Sequence, residues 1–239
     1  MQERAQPILP FDGLLIIVGG GVVDHELLRN LYVSGGHLVG ADGGADEIVR
    51  AGLAPEAIVG DMDSLANPDG WLGRTRLVRI AEQDTTDFEK ALYSTRAPVT
   101  VAMGMTGGRL DHTLAALDAM ARHARSRNII LVDQEDVAAA LTGSFDFEVS
   151  EGERVSVHPL GVVRFKRSFG LKYPLDGLKM VLGERTGTSN EATSGLFRIE
   201  VEPRSRAPWL LILQKSNLLR LVAALMQEPE AKADEDEGG

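Results

Sequence analysis

Six aspartates fall where a short apolar run gives way to a turn: Asp42 in ADGGAD, Asp61 and Asp63 in GDMDS, Asp84 and Asp87 in QDTTDFEKAL, and Asp111 in TGGRLDH. Asp61 and Asp63 are separated by one residue, and in an extended segment residues i and i+2 point the same way, so the two carboxylates can converge on one point. Unneutralised carboxylates a few Å apart repel, and one of them tends to stay protonated. A hard divalent cation removes that conflict: Mg2+ takes oxygen ligands, usually one or two carboxylates together with water and substrate phosphates. Each motif also has a plainer reading. Asp-x-Asp is a common turn or cap. Asp84 can cap a helix starting at Thr85 with Asp87 in its first turn, and Gly43 and Gly44 can serve only to turn the chain. What favours the cation is that several glycine-flanked acids gather at one rim.

The stretch GMTGGRLDH supplies the complementary charge. Gly107 and Gly108 stand just before a helical pattern, where bare backbone N–H groups and the helix dipole favour phosphate. Arg109 adds a cation with planar donors. Lys90 follows Asp87 by three residues and shares its helical face; its alternative is an ordinary solvated lysine. Acids for a metal, with glycine, arginine and lysine for phosphate, describe a nucleotide site. GGGVVD, Gly19 to Asp24, lacks the third glycine of the dinucleotide fingerprint and reads as a tight turn or a minor phosphate or adenosine contact. The five histidines have no metal-ligand spacing, and only His112 lies near the site. No Ser-His-Asp arrangement emerges from spacing.

These residues need a scaffold that brings strand ends together. GLLIIVGG, HLVGAD, EAIVGD, RLVRIAEQ, PVTVAMG and RNIILVDQ read as apolar strands, with helical patterns such as DHELLRNLYVSG, GADEIVRAG, TTDFEKALYST and RLDHTLAALDAMARHA between them. That alternation predicts an α/β N-terminal domain with a mostly parallel sheet covered by helices. In such sheets ligands bind beyond the carboxyl ends of the strands. After about Gly143 short alternating runs punctuated by Gly and Pro predict a C-terminal all-β, sandwich-like domain. NLLRLVAALM reads as one short helix. The expected division is 1–142, 143–216 and 217–239, the last being the helix and an acidic tail.

Composition narrows the function. The chain has 239 residues, 44% hydrophobic, enough for a core. The absence of cysteine excludes disulfides and thiolate chemistry, and with no signal-like N-terminus or membrane-length apolar run it fits the cytoplasm. A formal charge of -10 argues against nucleic acid as a partner. Half of that excess, net -5, comes from six acids and one lysine in Gln227 to Gly239, a composition expected to be disordered.

At its acidic motifs the chain resembles the thiamine diphosphokinase (thiamine pyrophosphokinase) family, whose Asp-Gly-Gly-Ala, Gly-Asp-x-Asp-Ser, Asp-x-Thr-Asp-x-x-Lys-Ala-Leu and Gly-Gly-Arg-x-Asp-His segments stand here, in order, as DGGAD, GDMDS, DTTDFEKAL and GGRLDH. GLKYPL, GTSNE and PWLLILQKS extend the resemblance through the β half, over roughly Leu14 to Ser216. It implies an ATP- and Mg2+-binding α/β domain, a β domain that helps to bind thiamine, and a homodimer with sites between subunits. Carried over, Asp61, Asp63 and Asp84 are the metal-associated acids, and Asp87, Lys90 and Arg109 join them as catalytic. Asp42, Gly43, Thr86, Gly107, Gly108, Asp111 and His112 fall on the nucleotide side. Ser189 and Asn190 resemble residues of the thiamine pocket, with Tyr173 where some members have Trp. The implied reaction is thiamine plus ATP giving thiamine diphosphate plus AMP, with Asp87 and Asp111 both open as acceptor of the hydroxyl proton. The rivals are a diphosphokinase for another alcohol such as a pterin, a sensor that binds nucleotide or thiamine diphosphate without turnover, and an aspartyl-phosphate phosphatase.

Overall fold

The run LLIIV at Leu14–Val18 is buried at every position, as are VTVAM at Val99–Met103 and AIVG at Ala57–Gly60. Strands covered on both faces have no reason to alternate, and parallel strands in particular read as unbroken apolar runs. The computed structural model describes residues 9–65, 68–71 and 73–227, and the acidic tail therefore lies outside the described residues. The chain divides into two compact units, residues 1–119 with 129–134, and residues 120–128 with 135–239.

In the first unit the elements run β1 (Leu9–Pro10), β2 (Leu14–Val18), α1 (His25–Val33), β3 (His37–Ala41), α2 (Gly44–Arg50), β4 (Ala57–Gly60), β5 (Arg76–Arg79), α3 (Asp87–Ser94), β6 (Thr95–Arg96), β7 (Val99–Met103), α4 (Leu110–His123) and β8 (Asn128–Val132). The last turn of α4 groups with the second unit. Strand order is β8-β7-β2-β3-β4-β5. The pairs β7–β2, β2–β3, β3–β4 and β4–β5 are all parallel. Helix α2 packs on β2 and β3, and α3 packs on β3 and β4. β5 closes the order as an edge strand with an arginine at each end, which blunts it against further pairing. Asp24 caps α1 by accepting from the Leu27 N–H at 3.0 Å.

The second unit is built of antiparallel pairs: β9 (Asp136–Leu141), β10 (Phe145–Glu148), β11 (Arg154–Pro159), β12 (Val163–Phe169), β13 (Lys179–Met180), β14 (Gly187–Glu191), β15 (Leu196–Val201) and β16 (Trp209–Gln214), followed by α5 (Leu218–Gln227). One group is ordered β14-β11-β16-β9 and the other β10-β15-β12-β13. They meet at Trp209 of β16 and Phe165 of β12, whose rings lie edge to face with centroids 5.9 Å apart, both fully buried. The Trp209 indole N–H donates to the Gly143 carbonyl at 3.1 Å. Helix α5 stands where the sequence put it, with the Arg220 guanidinium 5.4 Å from the Phe147 ring.

Two expectations need correction. Over the chain the sheets are mixed rather than mostly parallel, because the parallel pairing stops with the strands of the first unit. The run DVAAAL, passed over as a strand, is β9, paired antiparallel with β16 from Asp136↔Gln214 to Leu141↔Trp209. Alanine carries little strand preference, and nothing local marks this run. β9 opens the continuous stretch of the second unit, which starts at 135.

Candidate active site

The acids are brought together by strand register. Ala41 pairs with Val59, so the residues that follow, Asp42 and Gly60, leave adjacent parallel strands at the same level. The Asp42 N–H donates to Val59 O at 2.9 Å as the ladder ends. Gly60 is required here by close approach: a Cβ on it would lie 2.8 Å from the Asp42 Cβ and 3.0 Å from Asp87 Oδ1. With no side chain at Gly60, carboxylates from β3, β4 and α3 can close over it.

Beyond Gly60 the chain does not stay extended. Met62 adopts φ 71°, in the left-handed region, and Asp42 φ 43°. Such a conformation is uncommon for a non-glycine residue, least so for aspartate. The same-side convergence of Asp61 and Asp63 thus comes from a turn rather than from a strand. Asp61 Oδ1 accepts from the Asp63 N–H at 3.2 Å, and Asp42 Oδ2 accepts from the Ser64 N–H at 3.0 Å. Met62 and Trp71, partly buried, pack on Ala45, Ile58 and Leu65, which anchors the turn. The turn reading and the cation reading are therefore both satisfied by the same residues. One carboxylate oxygen each from Asp42, Asp61 and Asp63 lies within 4.8 Å of the others.

Asp84 is not in that group. Its backbone N–H donates to Glu82 Oε2 at 2.6 Å, and its side chain is exposed. It does not cap α3 either: Thr86 does, accepting from the Glu89 N–H at 3.4 Å, which leaves Asp87 as the first helical residue. Lys90, one turn on, is not a solvated lysine. Its side chain is 2% exposed, with Nζ 3.1 Å from Asp87 Oδ1 and 3.8 Å from Asp61 Oδ2. A lysine so buried requires such partners.

The electrostatics follow from these contacts. Asp42 is 1% exposed, and its Oδ1 has no hydrogen-bond partner. Burial pushes its pKa up to about 6, with the Asp87 charge adding to the rise. Asp61 is held below the usual carboxylate range, first by the Gln83 amide, which donates to its Oδ2 at 2.9 Å, and then by the Asp63 N–H. An unpartnered buried oxygen beside two further carboxylates is a donor set suited to a hard divalent cation.

Sequence reasoning missed two residues of this loop. Gln83 ties it to Asp61. Glu82 accepts from the Asp84 and Thr85 N–H groups and from the Tyr93 hydroxyl, the last at 3.0 Å. Burial first, and then Glu82, push the Tyr93 pKa up to about 12. A polar residue beside the acidic motif was the available signal, but the contacts are through space.

The glycine loop lies on the same unit. The Gly21 N–H donates to Gly104 O at 2.8 Å and the Val22 N–H to Thr106 O at 3.2 Å, so the GGGVVD turn is laced to the loop after β7. A Cβ on Gly21 would stand 2.6 Å from both carbonyl oxygens, which explains the glycine without a phosphate. Gly107 has φ +76° and is exposed together with Gly108, immediately before α4. Arg109 forks onto Asp111, Nε to Oδ1 at 3.1 Å and Nη2 to Oδ2 at 2.6 Å. That pairing raises the arginine pKa and lowers that of Asp111. His112 is exposed and contributes its backbone N–H to Asp111.

The three residues matched to the thiamine pocket lie in the second unit. Asn190, 3% exposed, clamps Tyr173: its Oδ1 accepts from the Tyr173 N–H at 3.0 Å and its Nδ2 donates to Tyr173 O at 2.7 Å. Tyr173 and Asn190 line a cleft of about 260 Å³ with Leu178, Met180 and Arg185. Ser189, at φ 58°, donates its N–H to Ser156 Oγ at 3.0 Å and does not line the cleft.

The family model for the thiamin pyrophosphokinase catalytic domain matches residues 28–132, the stretch that carries all the acids. Thiamin pyrophosphokinase 1 of Caenorhabditis elegans is 27% identical over 204 residues, 73% of this chain and 83% of that protein. Thiamine pyrophosphokinase of Bacillus subtilis is 28% identical over 168 residues, 64% and 77%. The crystal structure of thiamin pyrophosphokinase from Geobacillus thermodenitrificans superposes with a TM-score of 0.69 at 28% identity, covering 84% of this chain and 97% of that one. Among the described residues no helix is long and apolar enough to cross a membrane.

Proposed function

We propose, from the similarity to thiamine pyrophosphokinases, that the chain is a member of that family and transfers the terminal diphosphate of ATP to the hydroxyl of thiamine, releasing AMP. The observation that carries the reading is the buried, unpartnered Asp42 oxygen beside Asp61 and Asp63 at the ends of parallel strands. Asp61, Asp63 and Asp42 would hold Mg2+, with Asp84 as the further acid named by resemblance. When bound, Mg2+ supplies charge neutralisation on the phosphate oxygens.

The remaining work belongs to the chain. The exposed N–H groups at Gly107 and Gly108 receive phosphate ahead of α4, and Thr86, Gly43 and His112 border the nucleotide. Arg109, carried by Asp111, sits at the same loop. The thiamine oxygen attacks the β-phosphorus in line, its bond to phosphorus forms as the α–β bridge breaks, and AMP departs with the bridging oxygen; positioning supplies most of the rate. Asp111 is poorly suited to accept the hydroxyl proton, because its arginine partner keeps it acidic. Asp87 has a cationic partner of its own in Lys90, 3.1 Å away, so both acids stay open for that role. Tyr173 and Asn190 shape the acceptor cleft, with Ser189 beside them. The family also implies a homodimer with sites between subunits and a cytoplasmic enzyme.

Incubating the purified protein with ATP, Mg2+ and thiamine, and separating nucleotides and thiamine esters by chromatography, tests this. AMP and thiamine diphosphate in equal amounts are expected. Thiamine ester with ADP would mean a different transfer, and tight ATP binding without product would mean a sensor.

A further inference from the structure

Lys90 is the cation that touches the acids, yet it is almost as inaccessible as Asp42. Its side chain is 2% exposed, against 15% for Asp61 and 31% for Asp87. Its ammonium pairs with two carboxylates, Asp87 Oδ1 at 3.1 Å and Asp61 Oδ2 at 3.8 Å. It rises from the first turn of α3, fixed by the Thr86 cap and by packing of α3 on β3 and β4. A phosphate-gripping lysine extends a mobile ammonium toward solvent, whereas this one is packed behind the carboxylates it touches. A lysine at this sequence position, read from spacing alone, is a ligand for the transferred group; in space its ammonium lies against carboxylates.

We infer that Lys90 acts through Asp61 and Asp87, as a built-in counter-cation that sets how tightly the acid set takes a divalent ion. The inference rests on the proposed cation–nucleotide site and deepens it. One oxygen of Asp61 belongs to the group with Asp42 and Asp63, and its Oδ2 faces Lys90. Divalent charge on the group is therefore opposed by a fixed positive charge a few Å away. The ammonium also shares Asp87, so the set behaves as a carboxylate group with one charge already cancelled. A moderate affinity follows, suited to an ion that must leave with a polyphosphate product rather than stay. Lys90 is thus a positioning residue, and removing its charge should tighten binding of the free ion while harming transfer.

The test is Mn2+ binding to the full, nucleotide-free chain, read by electron paramagnetic resonance, for Lys90→Met, Lys90→Gln and Lys90→Arg. The two neutral variants should bind Mn2+ roughly tenfold tighter than the parent, the scale expected from losing a charge this close at a water-like effective dielectric. Lys90→Arg should stay within about twofold on the same reasoning. In steady-state assays the neutral variants should lose kcat more than they raise the KM for ATP. A lysine that served only packing would leave Mn2+ affinity unchanged or weaken it in the neutral variants, and either result overturns the inference. So would equal tightening in Lys90→Arg. If the neutral variants melt in chelator, Mn2+ should restore their fold and raise their melting temperature more than the parent's; melting that ignores Mn2+ also overturns it. Because the binding measurement contains neither thiamine nor ATP, a parent protein without transferase activity would sink the proposed function while leaving this comparison standing.

Discussion

The acid rim of the first unit and the cleft of the second are built on opposite principles. Around Asn190 almost every polar atom is spoken for: Oδ1 accepts from the Tyr173 and Glu191 N–H groups at 3.0 and 2.9 Å, and Nδ2 donates to Tyr173 O. Around Asp42 the reverse holds, with one buried oxygen unpartnered, neighbouring acids repelling it, and two residues in left-handed backbone. A satisfied network specifies shape. An unsatisfied one is a standing cost that a ligand of the right charge removes. The contrast assigns chemistry to the first region and fit to the second, and it can be attacked from both sides.

The largest effect is expected at the rim. Asp61→Asn should lower diphosphate transfer by roughly 10³-fold, the scale of losing a charge aimed at the reacting centre, while the protein still melts cooperatively; activity near that of the parent would remove Asp61 from the cation set. In the cleft, Asn190→Ala should act through the fold. It strands the Tyr173 N–H and carbonyl in a half-buried site, at about 1–2 kcal/mol by urea unfolding, with a raised KM for thiamine as a consequence. A stable Asn190→Ala protein with failed catalysis would invert the comparison.

Asp42 offers the sharper test, because function and stability should part there. Its folded pKa, about 6, lies above the ordinary 3.8, so the folded chain holds the proton more tightly than the unfolded chain. Stability from this group is therefore fully present below about pH 4 and is lost as pH rises toward and through 6, at about 1.4 kcal/mol per unit of difference. In chelator at pH 8, Asp42→Asn should raise stability by up to about 3 kcal/mol on that scale and flatten the decline between pH 4 and 7, yet lower Mg2+-dependent turnover. A variant less stable at pH 8 would mean that the Ser64 N–H already compensates the charge. The smallest effect belongs to Tyr173→Trp. The Lys172 ammonium already lies 6.0 Å from the Tyr173 ring, and a larger aromatic face should lower the KM for thiamine by about threefold or less, on the scale of an exposed cation–π contact.

How much of this was written along the chain depends on range. The β2, β3, β4 and β7 runs were legible because burial on both faces leaves unbroken apolar sequence, and the order of the acidic motifs pointed to a nucleotide site before any geometry. The metal grouping was only half legible. Asp61 and Asp63 share a turn, but Asp42 joins them through the register of β3 on β4, which no local pattern encodes. Asp84 has the right type and neighbourhood, yet its loop is held by Glu82, a residue with no motif of its own. Lys90 has the spacing of an exposed helix pair, and only the packing of α3 buries it. β9 was invisible because its three successive alanines carry little strand tendency of their own.

The chain carries two tryptophans, and they fall one to a unit. Trp209 is sealed against Phe165 in the second, and Trp71 rests on the small cluster that also holds Met62, between the two aspartates of the turn. Intrinsic fluorescence is thereby a two-channel reporter. In Trp71→Phe the remaining emission follows the β unit alone, and in Trp209→Phe it follows the turn, so ion binding and global melting can be watched as separate optical signals without attaching a dye.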